Sequence, residues 1–201
     1  MPLTNAYCTL NELKAALRIT DAVDDTLLEN CINASSRLID GYTNRHFYNA
    51  GTATRVYAAE SALLVQTDDI AGTAITLRTA STEVGTYDTT FAVTDYQMEP
   101  LNRISEGQEW VFTRLRAVGD YLFPTLDDQA WVQVTAVFGW NAVPPQVTQA
   151  TILQSARLFK RYDSPLGVAG FGDFGAVRVS RALDPDVAQL VDPFRRMDFL
   201  A

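Results

Sequence analysis

Trp131-Val132-Gln133-Val134-Thr135-Ala136-Val137-Phe138 alternates without a break. Val132, Val134, Ala136 and Phe138 fall on one side of an extended chain, and Trp131, Gln133, Thr135 and Val137 on the other, so the stretch reads as a β-strand with one face turned to a core. Working outward from it, residues 51–140 keep the same texture of threonine, valine and aromatics. Residues 73–79 and 110–116 read as further strands. Asp68-Asp69, Asp127-Asp128, Gly72, Gly85, Gly107 and Gly119 read as the turns between them.

On the C-terminal side, Pro144-Pro145 opens a helix expected to run to about Tyr162, because proline fits a first turn whose amide has no partner anyway. Val147, Ala150, Leu153, Ala156 and Phe159 form its inner row, with alanines small enough to admit a neighbouring helix. Beyond Asp163-Ser164-Pro165 lies a glycine-rich loop, a strand-like stretch at 176–179, and a short helix capped by Asp184-Pro185 with Val187, Leu190, Val191 and Phe194 as its stripe. On the N-terminal side, Thr9-Leu10-Asn11-Glu12 is a capping box opening a first helix. Leu10, Leu13 and Leu17 are its apolar stripe. A second helix is capped by Asp24 or Asp25 and carries Leu28, Ile32, Ser35, Ile39 and Tyr42 on one face. The two are expected to pack as a hairpin.

The resulting expectation is an α+β fold: a helical bundle formed by the N-terminal helix hairpin and the C-terminal helices, with a β-rich insert between them. Its parts are residues 1–50 (helical hairpin), 51–140 (β-rich acidic insert) and 141–201 (core helix, glycine-rich loop and C-terminal helix and tail).

Composition narrows the chemistry. The 201 residues are 47% hydrophobic and 20% charged, ordinary globular usage. No apolar run approaches the roughly 20 residues of a membrane helix, and residues 1–10 lack the layout of a secretory signal; a soluble chain without membrane partners is expected. Cys8 and Cys31 are too few for a disulfide framework and read as small core residues. With 16 basic and 24 acidic residues the net charge is −8, the wrong sign for gripping phosphate backbones. Residues 51–140 hold 5 of the basic and 12 of the acidic residues.

Catalytic chemistry finds little support. His46 is the single histidine, which leaves most triad and metal arrangements short of a member; it reads as a polar cap on an aromatic cluster. The paired aspartates could in principle bind a divalent ion, and a small metal-dependent hydrolase or nuclease using Asp68, Asp69, Asp127 or Asp128 is the alternative from a different class. None has the acid-x-acid-x-acid-Gly spacing of an EF-hand. Gly167-Val168-Ala169-Gly170-Phe171-Gly172-Asp173-Phe174-Gly175 has the composition of a phosphate-cradling loop. It follows a helix and leads into a strand, the reverse of nucleotide loops. Gly167, Gly170, Gly172, Asp173, Phe174 and Gly175 are therefore read as a flexible docking loop. No enzyme activity, cofactor or resident metal is expected.

Several ordered pieces resemble one family. They are Tyr7 through Ile19, the Asp24-Asp25-x-x-Leu28 step, and Ile39-Asp40-Gly41-Tyr42-Thr43-x-Arg45-x-Phe47. In the second half they are Phe138-Gly139-Trp140-x-Ala142-Val143-Pro144, Arg157-Leu158-Phe159-Lys160-Arg161, Asp163-Ser164-Pro165-x-Gly167, Phe174-Gly175 through Asp184-Pro185-Asp186, and Pro193-Phe194-Arg195-Arg196. Together, over about half of the chain, they resemble the head-tail connector (adaptor, or head-completion) proteins of tailed bacteriophages. The resemblance implies a structural virion protein of the neck between capsid and tail, made in the host cytoplasm. It implies a homo-oligomeric ring of about twelve copies below the portal protein, through which DNA passes without sequence-specific binding. A head-tail stopper or tail-completion protein would be the next ring, or the role of this chain itself. The resemblance also implies that a C-terminal segment inserts into the portal, which assigns docking to Phe194, Arg195, Arg196 and Phe199.

Overall fold

The computed structural model describes residues 2–105, 107–162, 168–169, 177–178 and 183–196. The chain divides into two units. One comprises Met1–Phe47 with Val143–Ala201, the other Tyr48–Ala142.

In the first unit, helix α1 (Leu10–Leu17) starts on the capping box read from the sequence. The Glu12 N–H donates to Thr9 Oγ1 at 3.2 Å, and the Thr9 N–H donates to Glu12 Oε2 at 2.7 Å, so two otherwise orphaned amides are satisfied. Helix α2 spans Asp25–Thr43. Asp24 stands at its N-cap but makes no side-chain bond there, while Asp25 takes the Lys14 ammonium at 2.6 Å. Helix α3 (Pro145–Tyr162) begins and ends where the prolines and the periodicity place it. Helix α4 (Pro185–Val191) is capped by Asp184, which accepts the Asp186 N–H at 3.1 Å and also pairs with Arg157 of α3.

Helices α1 and α2 do pack on one another, with Leu13 in one apolar cluster with Leu28 and Ile32, and the Lys14–Asp25 pair joins them. Helix α1 has only two turns, and α3 is the common partner against which α1, α2 and α4 all pack. Cys8, Leu13, Leu28 and Ile32 form the apolar cluster, with Ile152, Ala156 and Phe159 of α3 laid against it. Among the inner row proposed for α3, Leu153 is 40% exposed, and Thr151, Gln154 and Ser155 are buried beside Val147 and Ala150.

The second unit is a seven-stranded antiparallel sheet. Its strands are β1 (Asn49–Tyr57), β2 (Leu64–Ile70), β3 (Thr76–Thr79), β4 (Thr89–Phe91), β5 (Tyr96–Glu99), β8 (Phe112–Ala117) and β9 (Val132–Gly139), with a small separate hairpin of β6 (Ile104–Ser105) and β7 (Gln108–Glu109). The alternating stretch becomes β9, with Val132, Val134, Ala136 and Phe138 all buried. It is the hub: β1 runs along one edge of it, and β3 and the end of β2 share the other. Strands β8 and β5 continue beyond β2, and β4 beyond β3. At its end Gly139 adopts φ +94°, and a Cβ there would lie 2.0 Å from the Tyr48 carbonyl oxygen, so only glycine fits.

The expected fold class is overturned by this sheet. The chain is β-rich: the second unit is an antiparallel sheet curled into a nearly closed barrel, the described residues hold four α-helices, and the fold class is not that of a helical bundle. The physical reason is that the strands between Asn49 and Gly139 pair with one another through long-range registers. They enclose their own apolar core of Val65, Ile70, Leu77, Leu115, Val132, Val134 and Phe138. Asp68 and Asp69, read as a turn, lie inside β2. Among the described residues no helix is long and apolar enough to cross a membrane.

A third pairing, β10 (Val168–Ala169) with β11 (Val177–Arg178), is antiparallel and, among the described residues, joins neither the seven-stranded sheet nor the β6–β7 hairpin.

Candidate functional site

The residues assigned to docking lead back to the C-terminal end of α2. After α4 the chain makes a 3-10 turn, Asp192–Phe194, in which Pro193 ends the α-helix by denying it an amide. The turn drives Phe194 inward. Its ring is 2% exposed and meets Phe47 edge-on at 5.6 Å; Phe47 meets Tyr7 edge-on at 5.7 Å. Edge-to-face contacts of this kind add about 0.5–1.5 kcal/mol beyond the area they bury.

Beneath the rings lies a polar centre. The Tyr7 hydroxyl donates to Asp40 and accepts the Phe47 N–H at 2.9 Å. Asp40 is itself buried and is reached by Arg37 Nε at 2.9 Å and by His46 Nδ1 at 3.3 Å. Burial first, and the Asp40 hydrogen bond second, push the Tyr7 phenol well above its ordinary range, so it stays a neutral donor. His46 is 65% exposed at the rim of this cluster, next to Phe47.

The chain then leaves along the surface. The Arg196 N–H donates to the Thr43 carbonyl at 2.8 Å, and the Arg195 guanidinium lies 5.4 Å from the Tyr42 ring centre. The Tyr42 hydroxyl donates to Asp192 at 2.6 Å. Of the four docking residues, the structure therefore makes Phe194 an internal anchor and presents Arg195 at the surface with Arg196 half-buried behind it. Phe199 lies outside the described residues, as do Gly167, Gly170, Gly172, Asp173, Phe174 and Gly175. Sequence reasoning missed Tyr7 and Asp40 as partners. The available signal was an acid on the buried face of α2, one residue after Ile39 and four after Ser36.

The aspartates offered as metal ligands are engaged separately. Asp68 takes Arg55 Nη1 at 2.6 Å and the Tyr57 hydroxyl at 3.0 Å, and Asp69 accepts the Trp140 indole N–H at 3.0 Å. Asp127 and Asp128 lie in another turn, Leu126–Asp128. Among the described residues no group of three or more His, Cys, Asp or Glu side chains is placed to hold a metal ion. Both cysteines are free and buried. Burial raises the Cys8 thiol to about 12, with Glu12 adding to the shift, and raises Cys31 in the same direction.

Comparison with known proteins adds an independent line. No curated protein matches the chain. Among solved structures, a chain from the neck of an empty gene transfer agent (GTA) particle computed with C6 symmetry matches with a TM-score of 0.57 at 17% identity, covering 100% of this chain and 95% of its own. A chain from the virion of a native GTA particle matches with a TM-score of 0.55 at 18% identity, with the same coverage. These likenesses establish a shared fold. Residues 7–95 match the model of the phage gp6-like head-tail connector protein family, and the resemblance to head-tail connectors read from the residues is borne out.

Proposed function

We propose that the chain is a structural, non-enzymatic protein of a virion neck, a head-to-tail adaptor whose copies form a ring below the portal and extend the DNA channel. The observation that carries this reading is the family match over residues 7–95, supported by the whole-length fold likeness to a chain of a GTA neck. That neck was computed with sixfold symmetry, with which a ring of about twelve copies is compatible.

Charge supports a conduit. Residues 51–140 carry 12 acidic and 5 basic side chains. A wall of that sign gains nothing from counterion release and lets phosphate slide past, over a range of about 8–10 Å set by screening. Docking on the portal is assigned to Arg195, Arg196 and Phe199, with Phe194 as the anchor that fixes where the segment emerges. The glycine-rich loop is the second docking element.

Electron microscopy of tailed particles tests the reading: the chain is expected in a ring between portal and tail, and its absence from that position overturns the proposal. Pull-down on isolated portal separates an adaptor from a stopper or tail-completion protein, since only the adaptor binds portal directly. Removing residues 197–201 and converting Arg195 and Arg196 to alanine is expected to weaken that binding at least tenfold. Unchanged binding discards the docking assignment.

A further inference from the structure

Sheets expose hydrogen-bonding groups along their outer strands, and proteins blunt those edges by making them short, charged or interrupted by proline. Two edges here follow the rule. Strand β4 has three residues, and β5 has four and runs straight into Pro100, which has no N–H to offer. Strand β1 does not follow it. It has nine residues, pairs with β9 along one side, and has no strand on its other side among the described residues. Ala50, Thr52, Thr54 and Val56 are exposed and uncharged along it, and its one charged residue, Arg55, is already held by Asp68.

The molecule also carries a piece of sheet in the opposite situation. Among the described residues, strands β10 and β11 pair with each other alone, two residues against two, and a two-stranded ribbon by itself is marginal in water until further strands or a helix pack with it. We propose that β1 is the docking edge for the β10–β11 ribbon of a second copy of this chain, so that neighbouring copies share a continuous sheet. The inference rests on the ring reading and names the partner of the glycine-rich docking loop.

Three observations select this occupant. Reach is sufficient: five residues separate Tyr162 from Val168 and six separate Arg178 from Pro185, lengths that can span at most about 20–25 Å on each side. Charge is complementary: residues 160–182 carry Lys160, Arg161, Arg178 and Arg181 against Asp163 and Asp173, and the unit that contains β1 carries 5 basic against 12 acidic residues. Symmetry agrees as well. An edge that takes a different segment of its neighbour makes a head-to-tail contact, the kind a ring requires, whereas β1 against β1 would stop at a two-fold dimer. Main-chain bonds of this kind supply affinity with little demand on side-chain identity.

The test is disulfide trapping in assembled particles. Full-length Thr52→Cys, Thr54→Cys or Val56→Cys chains are each co-assembled with Val177→Cys chains; the buried native Cys8 and Cys31 stay out of the reaction. The expected result is a reducible covalent dimer for at least one mixture, at least tenfold above either variant alone, together with at least tenfold slower amide exchange in residues 50–57 of the assembled protein than of the isolated chain. Particles that contain the ring but give neither effect overturn the inference and leave the adaptor reading standing. Particles without the ring overturn the adaptor reading and this inference with it. A link confined to single chains in the Thr54→Cys/Val177→Cys double variant shows that the ribbon folds onto its own β1, which also overturns the proposal.

Discussion

Helices α2 and α3 bury Ser35, Ser36, Thr151, Gln154 and Ser155 beside the small apolar cluster of Cys8, Leu13, Leu28 and Ile32, whereas the interior of the sheet is dominated by Val65, Ile70, Leu77, Leu115, Val132, Val134 and Phe138. The hydroxyls bond backward along their own helices, Ser36 to the Ile32 carbonyl at 2.9 Å and Thr151 to Val147 at 2.8 Å. Ser155 crosses to the Cys31 carbonyl of the other helix at 3.4 Å. The hydroxyls of Ser36, Thr151 and Ser155 let the helix backbones approach and are satisfied on carbonyls, so in the helical unit hydrogen bonds add to the packing of a small apolar cluster. The sheet unit is specified by the area it removes from water, at about 25 cal/mol per Å².

Several substitutions can break or sharpen this contrast. The largest effect is expected in the sheet. Gly139→Ala forces a Cβ toward the Tyr48 carbonyl at a left-handed φ and should cost about 3 kcal/mol or more; urea unfolding with a loss below 1 kcal/mol would show that the Tyr48–Gly139 approach is not the constraint it looks. Next comes alkali. The Cys8 thiol is raised from 9.0 to about 12 in the folded chain. Its neutral form therefore stabilises the fold in full below pH 9, and that contribution is lost as the pH climbs from 9 through 12. Urea midpoints should fall across that window and fall less steeply in Cys8→Ala; parallel slopes refute the assignment.

Tyr7→Phe strips the hydroxyl that serves both Asp40 and the Phe47 amide, at an expected cost of about 1–3 kcal/mol. A loss that size in the helical unit from one oxygen atom is the signature of a hydrogen-bonded core, and no loss would return that unit to the apolar class. The smallest effects come from the helix caps. Thr9→Ala should cost about 1 kcal/mol and Asp24→Ala less than about 0.5 kcal/mol, because only Thr9 bonds the helix it precedes. Equal losses by thermal unfolding would contradict the cap geometry.

The features legible in the sequence were those whose causes are close in the chain. The capping box spans three residues, the proline start of α3 spans two, and the alternation of β9 is imposed by one buried face. What stayed hidden depends on partners supplied from afar. Asp68 and Asp69 have the composition of a turn, and they sit in a strand because Arg55 and Trp140 arrive to bind them. Phe194 belongs by spacing to the apolar stripe of α4, but nothing nearby in the sequence announces Phe47 as the ring it meets. Leu153 falls on the inner row by spacing, yet it is exposed while Thr151, Gln154 and Ser155 are buried beside Val147 and Ala150. The weight given to the helices failed for the same reason, since the registers that make the sheet join residues as far apart as Asn49 and Gly139.

The placement of the indoles has a practical consequence for every such measurement. All three tryptophans, Trp110, Trp131 and Trp140, belong to Tyr48–Ala142, with Trp140 fully enclosed and its ring 5.9 Å from that of Trp110. Intrinsic tryptophan emission will therefore watch the barrel alone, and the helices will melt unseen unless their ellipticity at 222 nm is followed in parallel.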